Sequence, residues 1–134
     1  MRWLAFILPL FANASFAAEA GDPLTASEFE ALTTGKTLTY ATEGQTPYGA
    51  EEYLPGRKVR WAFTGQECKD GEWFEAGELI CFTYEDNPDP QCWSFFLTPQ
   101  GIRAQFENRE GTAPLYSIAE STEPLFCPGP LIGA

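Results

Sequence analysis

Apolar and polar residues alternate along most of the chain after Gly35, and clusters of Gly, Pro, Asn and Asp interrupt the alternation about every ten residues. Alternation with a period of two places successive side chains on opposite faces of a β-strand, and Val, Ile, Thr and aromatic residues between the turns favour strands. The pattern predicts strands near residues 37–43, 47–54, 57–64, 70–75, 78–85, 91–98, 101–108 and 114–119.

The predicted strands agree with one another when they are paired as hairpins. Cys81 can face Cys92 across one hairpin, and that register sets Ile80 opposite Trp93. The preceding hairpin then sets Trp73 opposite Ile80. A shift of one residue in any of these pairs would turn charged residues toward the core. We therefore expect a single inner face that is shared by consecutive strands.

Consecutive hairpins predict an all-β fold, an antiparallel meander of seven or eight strands. Such a sheet can protect its edges by closing into an up-and-down barrel or by folding into a sandwich, and short connections favour a small lipocalin-like barrel. One short helix is expected at 25–34, because Thr25 and Glu28 match a capping box. The length favours a single domain, expected at 18–121, followed by a Pro-rich tail at 122–134.

The N-terminus is typical of a secretory signal peptide. Arg2 precedes an apolar run at 3–11, and the small residues Ser15 and Ala17 suit a cleavage site. The run is shorter than the roughly 20 residues that span a bilayer, so we expect no membrane span after cleavage. We predict that residues 1–17 are removed and that the protein is periplasmic or secreted.

The four Cys residues of an exported chain predict two disulfides. Three pairings are open. The hairpin register favours Cys81 with Cys92, which leaves Cys68 to tie Cys127 and the tail to the barrel. No pair has the spacing of a zinc site, and the chain contains no His, so we expect no metal at these residues.

Composition excludes several functions. The absence of His removes the commonest general base and the usual partner of a Ser or Cys nucleophile. A net charge of −11 argues against nucleic acids and anionic membranes. The acids at 85–90 could supply oxygen ligands to calcium, but they lack the spacing of a known loop, and a solvated turn is the favoured interpretation. We expect no cofactor.

Two groups of side chains are candidates for binding. Inward aromatic residues either fill the core or line a pocket for an apolar or planar ligand. A basic cluster either forms ion pairs with nearby acids on a strand edge or docks an anionic group. The aromatic candidates are Trp61, Trp73, Trp93, Tyr84 and Phe95, and the basic candidates are Arg57, Lys58 and Arg60.

Three short motifs resemble a known group of proteins. Gly-x-Trp at 71–73, Ile-Cys-Phe-x-Tyr at 80–84 and Cys-Trp at 92–93 are similar to a family of small exported alphaproteobacterial proteins, a domain of unknown function. The similarity covers roughly residues 25–108 and leaves the tail outside. It implies a periplasmic location, and it implies no activity and no site residues.

Together these observations predict a non-enzymatic periplasmic module that binds an unknown protein or a small apolar ligand. A carrier with an aromatic-lined pocket is one alternative. A hydrolase that uses a pair of acids such as Glu72 and Glu78 is another, and it needs carboxyl groups roughly 5 to 10 Å apart. Outward Phe74 and Phe96 would suit a protein partner.

Overall fold

The fold is a closed antiparallel barrel, seen in a computed structural model that describes residues 21–128. Within that range each strand pairs with the next and β8 pairs with β1, which confirms the predicted all-β barrel with one short helix and two disulfides. The predicted signal peptide (1–17) and residues 129–134 of the predicted tail lie outside the described residues. The strands are β1 (Thr37–Ala41), β2 (Pro47–Leu54), β3 (Lys58–Phe63), β4 (Lys69–Ala76), β5 (Leu79–Tyr84), β6 (Asn87–Thr98), β7 (Gly101–Phe106) and β8 (Leu115–Ser121).

Helix α1 (Ala26–Thr33) precedes the barrel and begins at a capping box. The Thr25 side chain accepts a hydrogen bond from the backbone N–H of Glu28, and the Glu28 carboxylate accepts one from the backbone N–H of Thr25. Gly35 follows the helix with φ +85°, a left-handed conformation that suits Gly. The helix is one residue shorter at each end than the predicted range 25–34. No helix in the described part of the chain is long and apolar enough to cross a membrane.

The register of the hairpins agrees with the prediction in one case and differs in another. Ile80 pairs with Trp93, as predicted. Trp73 lies opposite Phe82 rather than Ile80, because the tight turn between β4 and β5 begins one residue later than expected, at Gly77. The pairing differs by two positions, so every side chain keeps its predicted face.

Strand β6 begins earlier than expected. Its first residue is Asn87, four residues before the predicted strand at 91–98, so the predicted turn at 85–90 is partly strand. The pairing of this early part with β5 contains a β-bulge that includes Pro88 and Pro90. The missing backbone donors of Pro are tolerated in a bulge, which explains why two prolines fit within a strand.

The two disulfides have the predicted connectivity. Cys81–Cys92 joins β5 to β6 with a Cα–Cα distance of 4.0 Å. Cys68–Cys127 joins the loop between β3 and β4 to the tail with a Cα–Cα distance of 5.5 Å and spans 59 positions of sequence. Both bonds are compatible with an oxidising compartment outside the cytoplasm.

The tail returns across the outer surface of the barrel. The Thr37 hydroxyl donates to the backbone oxygen of Glu123 at 2.7 Å, and the backbone N–H of Leu125 donates to the Glu52 carboxylate at 3.3 Å. Cys127 then reaches the loop between β3 and β4. The tail therefore runs from the end of β8 to the opposite end of the barrel.

The barrel has two ends of different construction. Helix α1 lies across the end at which β8 finishes, and the Phe29 side chain, 0% exposed, enters the barrel there. The Phe29 ring lies 5.3 Å from Trp73 and 4.4 Å from Phe95, centroid to centroid. We call this the closed end. The opposite end, which we call the open end, carries the connections at 42–46, 64–68, 85–86 and 107–114.

Candidate functional site

The inside of the barrel is hollow toward the open end. A cavity of about 730 Å³ begins at that end and reaches inward to Tyr53 and Phe95, both of which also line the closed end. Eight-stranded barrels are just wide enough either to be filled by side chains or to hold one small ligand. The volume lies within the range of small-molecule sites, about 300 to 1,000 Å³.

Two inward glycines keep the cavity wide. A Cβ at Gly49 would lie 2.5 Å from the Trp61 ring, and a Cβ at Gly71 would lie 2.7 Å from the Tyr84 ring. These distances are too short for any real side chain. Gly at these two positions therefore leaves room for the rings of Trp61 and Tyr84 beside the barrel wall.

Most of the aromatic candidates lie at the cavity. Trp61, Trp93, Tyr84 and Phe95 line it. Trp73 does not, because Phe29 covers it at the closed end and the Arg57 guanidinium lies over its ring at 4.4 Å. Alternation along a strand shows which side chains point inward, but it does not show how deep in the barrel each one lies.

The carboxyl group of Glu51 lies in the wall of the cavity, on the inward face of β2. The residue is only 2% exposed, and its Oε1 accepts a hydrogen bond from the Tyr84 hydroxyl at 2.7 Å. Its Oε2 is buried without a hydrogen-bond partner among the residues that the structure describes. Burial raises the pKa of Glu51 from 4.5 to about 8, and the Tyr84 hydrogen bond opposes that shift only in part.

Glu51 is not among the candidate residues that the sequence predicted. A signal was present in the sequence. Every second residue of a strand lies on the same face, so residues 49, 51 and 53 share one face of β2, and Tyr53 is a typical inward residue. An acid in register with inward aromatic residues could therefore have been recognised as a buried carboxyl group.

A pair of tyrosines lies at the inner limit of the cavity beside Glu51. The hydroxyls of Tyr40 and Tyr53 are hydrogen-bonded at 2.8 Å. Burial raises the pKa of both phenols, and it also raises the pKa of Tyr84. All three therefore stay protonated and neutral at physiological pH, so the inner part of the cavity combines aromatic surface with one carboxyl group.

Charged residues lie at the mouth of the cavity. Lys69 forms an ion pair with Asp86 at 3.7 Å, and Glu67 lies near them. Pro128 of the tail also lines the mouth, next to the disulfide that holds Cys127. The rim is thus polar, whereas the walls below it are aromatic.

The basic cluster lies away from the cavity lining, with Lys58 and Arg60 on the outer surface of β3 and Arg57 at the closed end beside Trp73. Each of its members forms an ion pair: Arg57 with Glu30 at 3.3 Å, Lys58 with Glu72 at 2.7 Å, and Arg60 with Asp70 at 2.7 Å. The docking of an anionic group at Arg57, Lys58 and Arg60 stays a prediction.

The acids singled out for catalysis and for metal binding are not brought together at the cavity. Glu72 faces outward in its ion pair, and Glu78 lies in the turn after β4. Glu51 is the one buried carboxyl group between residues 21 and 128. Over the same range, no group of three or more Cys, Asp or Glu side chains is close enough to hold a metal ion, and this includes the acids at 85–90.

The outward aromatic residues differ in their surroundings. Phe74 is 40% exposed, whereas the Phe96 ring is covered by the Arg103 guanidinium at 4.3 Å. Phe74 therefore presents apolar surface to solvent as its sequence position suggested, whereas Phe96 presents less.

Comparison with known proteins gives no relative from which a function could be transferred. The resemblance to exported alphaproteobacterial proteins stays a prediction. No protein-family model, no curated protein and no solved structure matches this chain.

Proposed function

We propose that this protein is a non-enzymatic carrier, periplasmic or secreted, that binds one small molecule with a flat apolar body inside the barrel. The observation that supports the proposal is the cavity of about 730 Å³, open at one end and lined by Trp61, Tyr84 and Trp93. Ligand sites are typically concave, largely apolar and formed before the ligand binds, with a few polar groups that orient it.

The position of the cavity favours a bound molecule over simple core packing. Phe29 and its neighbours already supply a packed core at the closed end. Trp61 and Trp93 add further aromatic surface at the open end that is only partly buried. A ligand that covers these rings removes apolar surface from water, which stabilises the complex by roughly 25 cal/mol for each Å².

The walls are suited to hold a ligand without rearrangement. The Cys81–Cys92 bond joins two of the strands that line the cavity, and the closed end prevents the ligand from passing through. A preformed site avoids part of the entropic cost of ordering side chains on binding. A protein-docking module is the broader alternative; Phe74 is exposed for such a contact, whereas the Phe96 ring is covered by Arg103.

The proposal is tested by titrating the protein with 2-naphthylethanol, a neutral molecule with a flat aromatic body, while the indole N–H signals of the Trp residues are followed by NMR. Trp61 and Trp93 should shift in a saturable way, with a Kd of about 1 mM or tighter. Trp73 is an internal control, because it lies at the closed end and should not shift.

Matched variants locate the bound molecule. Trp61→Ala should weaken binding by about tenfold, since it removes one aromatic wall of the cavity. Phe74→Ala removes an outward ring of the same sheet and should leave binding unchanged. The proposal is wrong if no saturable shift occurs, or if the two variants weaken binding equally.

A further inference from the structure

We propose that the ligand is an organic cation, in which a primary ammonium group donates a hydrogen bond to Oε2 of Glu51 while the apolar body lies against the aromatic walls. This inference rests on the proposed function and deepens it, because it names the chemical group that the carrier recognises. It starts from the one buried polar side-chain atom, among residues 21–128, that has no hydrogen-bond partner.

When Glu51 is ionised, its unpartnered oxygen can accept a hydrogen bond from a donor outside the protein. Tyr84 already donates to Oε1, so a ligand can add a bond at Oε2 without breaking one. Buried polar atoms in folded proteins are almost always paired, and exceptions concentrate where something else binds. Glu51 lines the cavity but is only 2% exposed, so the carboxyl group is recessed in the wall. A small ammonium group reaches a recessed oxygen more readily than a bulky quaternary one.

The groups that surround Glu51 leave its charge without a partner. From β1, β2 and β5 it is faced by the phenols of Tyr40, Tyr53 and Tyr84, all of them neutral because burial raises their pKa. The lysine among the lining residues, Lys69, lies at the mouth and is paired with Asp86. Among the described lining residues no free positive charge faces Glu51, so a counter-charge for its ionised form would come with the ligand.

The rest of the site also favours a cation. The faces of Trp and Tyr rings carry partial negative charge and attract cations, and such rings form the walls in front of Glu51. The net charge of −11 attracts positive molecules and repels negative ones before they reach the mouth. No feature of the described lining offers a comparable site for an anion, because Lys69 is already neutralised by its ion pair.

The ionisation of Glu51 sets the expected dependence on pH. Burial raises the pKa of Glu51 to about 8, so without ligand the group is mostly protonated at neutral pH. An ammonium ligand binds the ionised form, and alkylammonium groups keep their own proton up to about pH 10. Affinity for the cation should therefore rise between pH 6.5 and pH 9. A neutral ligand that accepts the proton of Glu51 would show the opposite trend.

Three probes with the same aromatic body separate these cases: 2-naphthylethylamine, 2-naphthylethanol and the trimethylammonium form of the amine. Each is titrated at pH 6.5 and pH 9 with the NMR signals of Trp61 and Trp93 as the readout. At pH 9 the amine should bind at least about tenfold more tightly than the alcohol, as expected for a hydrogen bond to a charged group. The trimethylammonium probe should bind more weakly than the amine, since it has no N–H donor.

Two variants of adjacent residues complete the test. Glu51→Gln keeps an acceptor for Tyr84 but has no charge, so it should abolish both the preference for the amine and its dependence on pH while alcohol binding persists. Glu52→Gln changes the next residue of β2, which faces outward beside Arg60, and should preserve the preference. Thermal unfolding of both variants verifies that the barrel is intact.

The outcomes distinguish this inference from the function on which it rests. The inference is overturned if the alcohol binds as tightly as the amine at pH 9, if Glu51→Gln keeps the preference, or if the trimethylammonium probe matches the amine. In each of these cases the proposed carrier still binds the probes. If none of the probes shifts Trp61 or Trp93, the proposed function fails as well.

Discussion

The closed and open ends of the barrel share the same strands and are filled in opposite ways. At the closed end Phe29 is 0% exposed and packs edge-on against Tyr53 and Trp73, with ring centroids 5.5 and 5.3 Å away. At the open end Phe63 is 43% exposed and packs against Trp61 on one side, with the cavity in front of it. The closed end is a packed core, whereas the open end is a cavity lined by side chains.

The two ends also differ in whether their buried polar groups are hydrogen-bonded. At the closed end the buried hydroxyl of Thr33 donates to the backbone oxygen of Phe29 at 2.8 Å. Toward the open end Oε2 of Glu51 has no partner among the described residues. An unpaired buried oxygen destabilises the folded chain by about 1 to 3 kcal/mol. The closed end therefore contributes stability, while the open end retains an unpaired polar atom that lowers it.

The largest expected effect comes from removing the central ring of the closed end. Phe29→Ala should lower the free energy of unfolding by about 3 to 5 kcal/mol, because it leaves a cavity that the surrounding rings cannot fill. The matched change at the open end, Phe63→Ala, should cost less than about 1 kcal/mol, since that ring is already half exposed. Chemical denaturation measures both values. Equal losses would remove the distinction between the two ends.

The next largest effect is a dependence of stability on pH, which arises from the buried carboxyl group of Glu51. The pKa of Glu51 is raised to about 8 in the folded protein, above its value of 4.5 in the unfolded chain, so its contribution to stability is complete below pH 4.5 and is lost as pH rises through 8. The loss should reach up to about 4 kcal/mol by pH 9.

Glu51→Gln provides the control for that loss, since Gln does not ionise. The variant and the original protein should have similar stability near pH 4.5, and the variant should be the more stable of the two at pH 9. Denaturation curves at several pH values measure the difference. A constant difference from pH 5 to pH 9 would show that folding does not raise the pKa of Glu51.

The disulfide at the open end should have a smaller effect. Replacing both Cys68 and Cys127 with Ser should free the tail and lower stability by about 2 kcal/mol, near the low end for disulfides because the released tail regains freedom in the folded state. Limited proteolysis should then cleave within 122–128 while the barrel stays intact. Unchanged resistance of the tail would mean that its contacts with Thr37 and Glu52 hold it without the bond.

Local patterns predicted much of the fold. Period-two alternation set Ile80 opposite Trp93, and the same register placed Cys81 opposite Cys92. The capping box at Thr25 located the start of the helix. These features succeed because they depend on residues that are close in sequence or that meet across a single hairpin, where register is strongly constrained by which face is buried.

The cavity could not be predicted in the same way, because it depends on depth within a closed barrel. Alternation identified Trp61 and Trp73 as inward residues without distinguishing the one at the cavity from the one beneath the helix. The position of Phe29 inside the barrel results from the docking of α1, which no strand pattern encodes. Glu51 could have been found from its alternation with Tyr53 on β2, whereas its depth and its hydrogen bond with Tyr84 depend on the closed barrel.

The smallest expected effect on stability tests how the open end stays hollow. Gly49→Ala places a Cβ 2.5 Å from the Trp61 ring and 2.6 Å from the backbone oxygen of Ala62, so the backbone must shift slightly and the ring must turn into the cavity. Stability should fall by about 1 kcal/mol, while binding of 2-naphthylethanol should fall by at least about tenfold, because Trp61 then occupies the space of the ligand. Gly44→Ala is the control, since a Cβ there meets no described atom within 4 Å. If Gly49→Ala leaves the affinity unchanged, the cavity does not depend on that glycine. Another feature would then have to explain why the open end is hollow beside Trp61 while the closed end is filled.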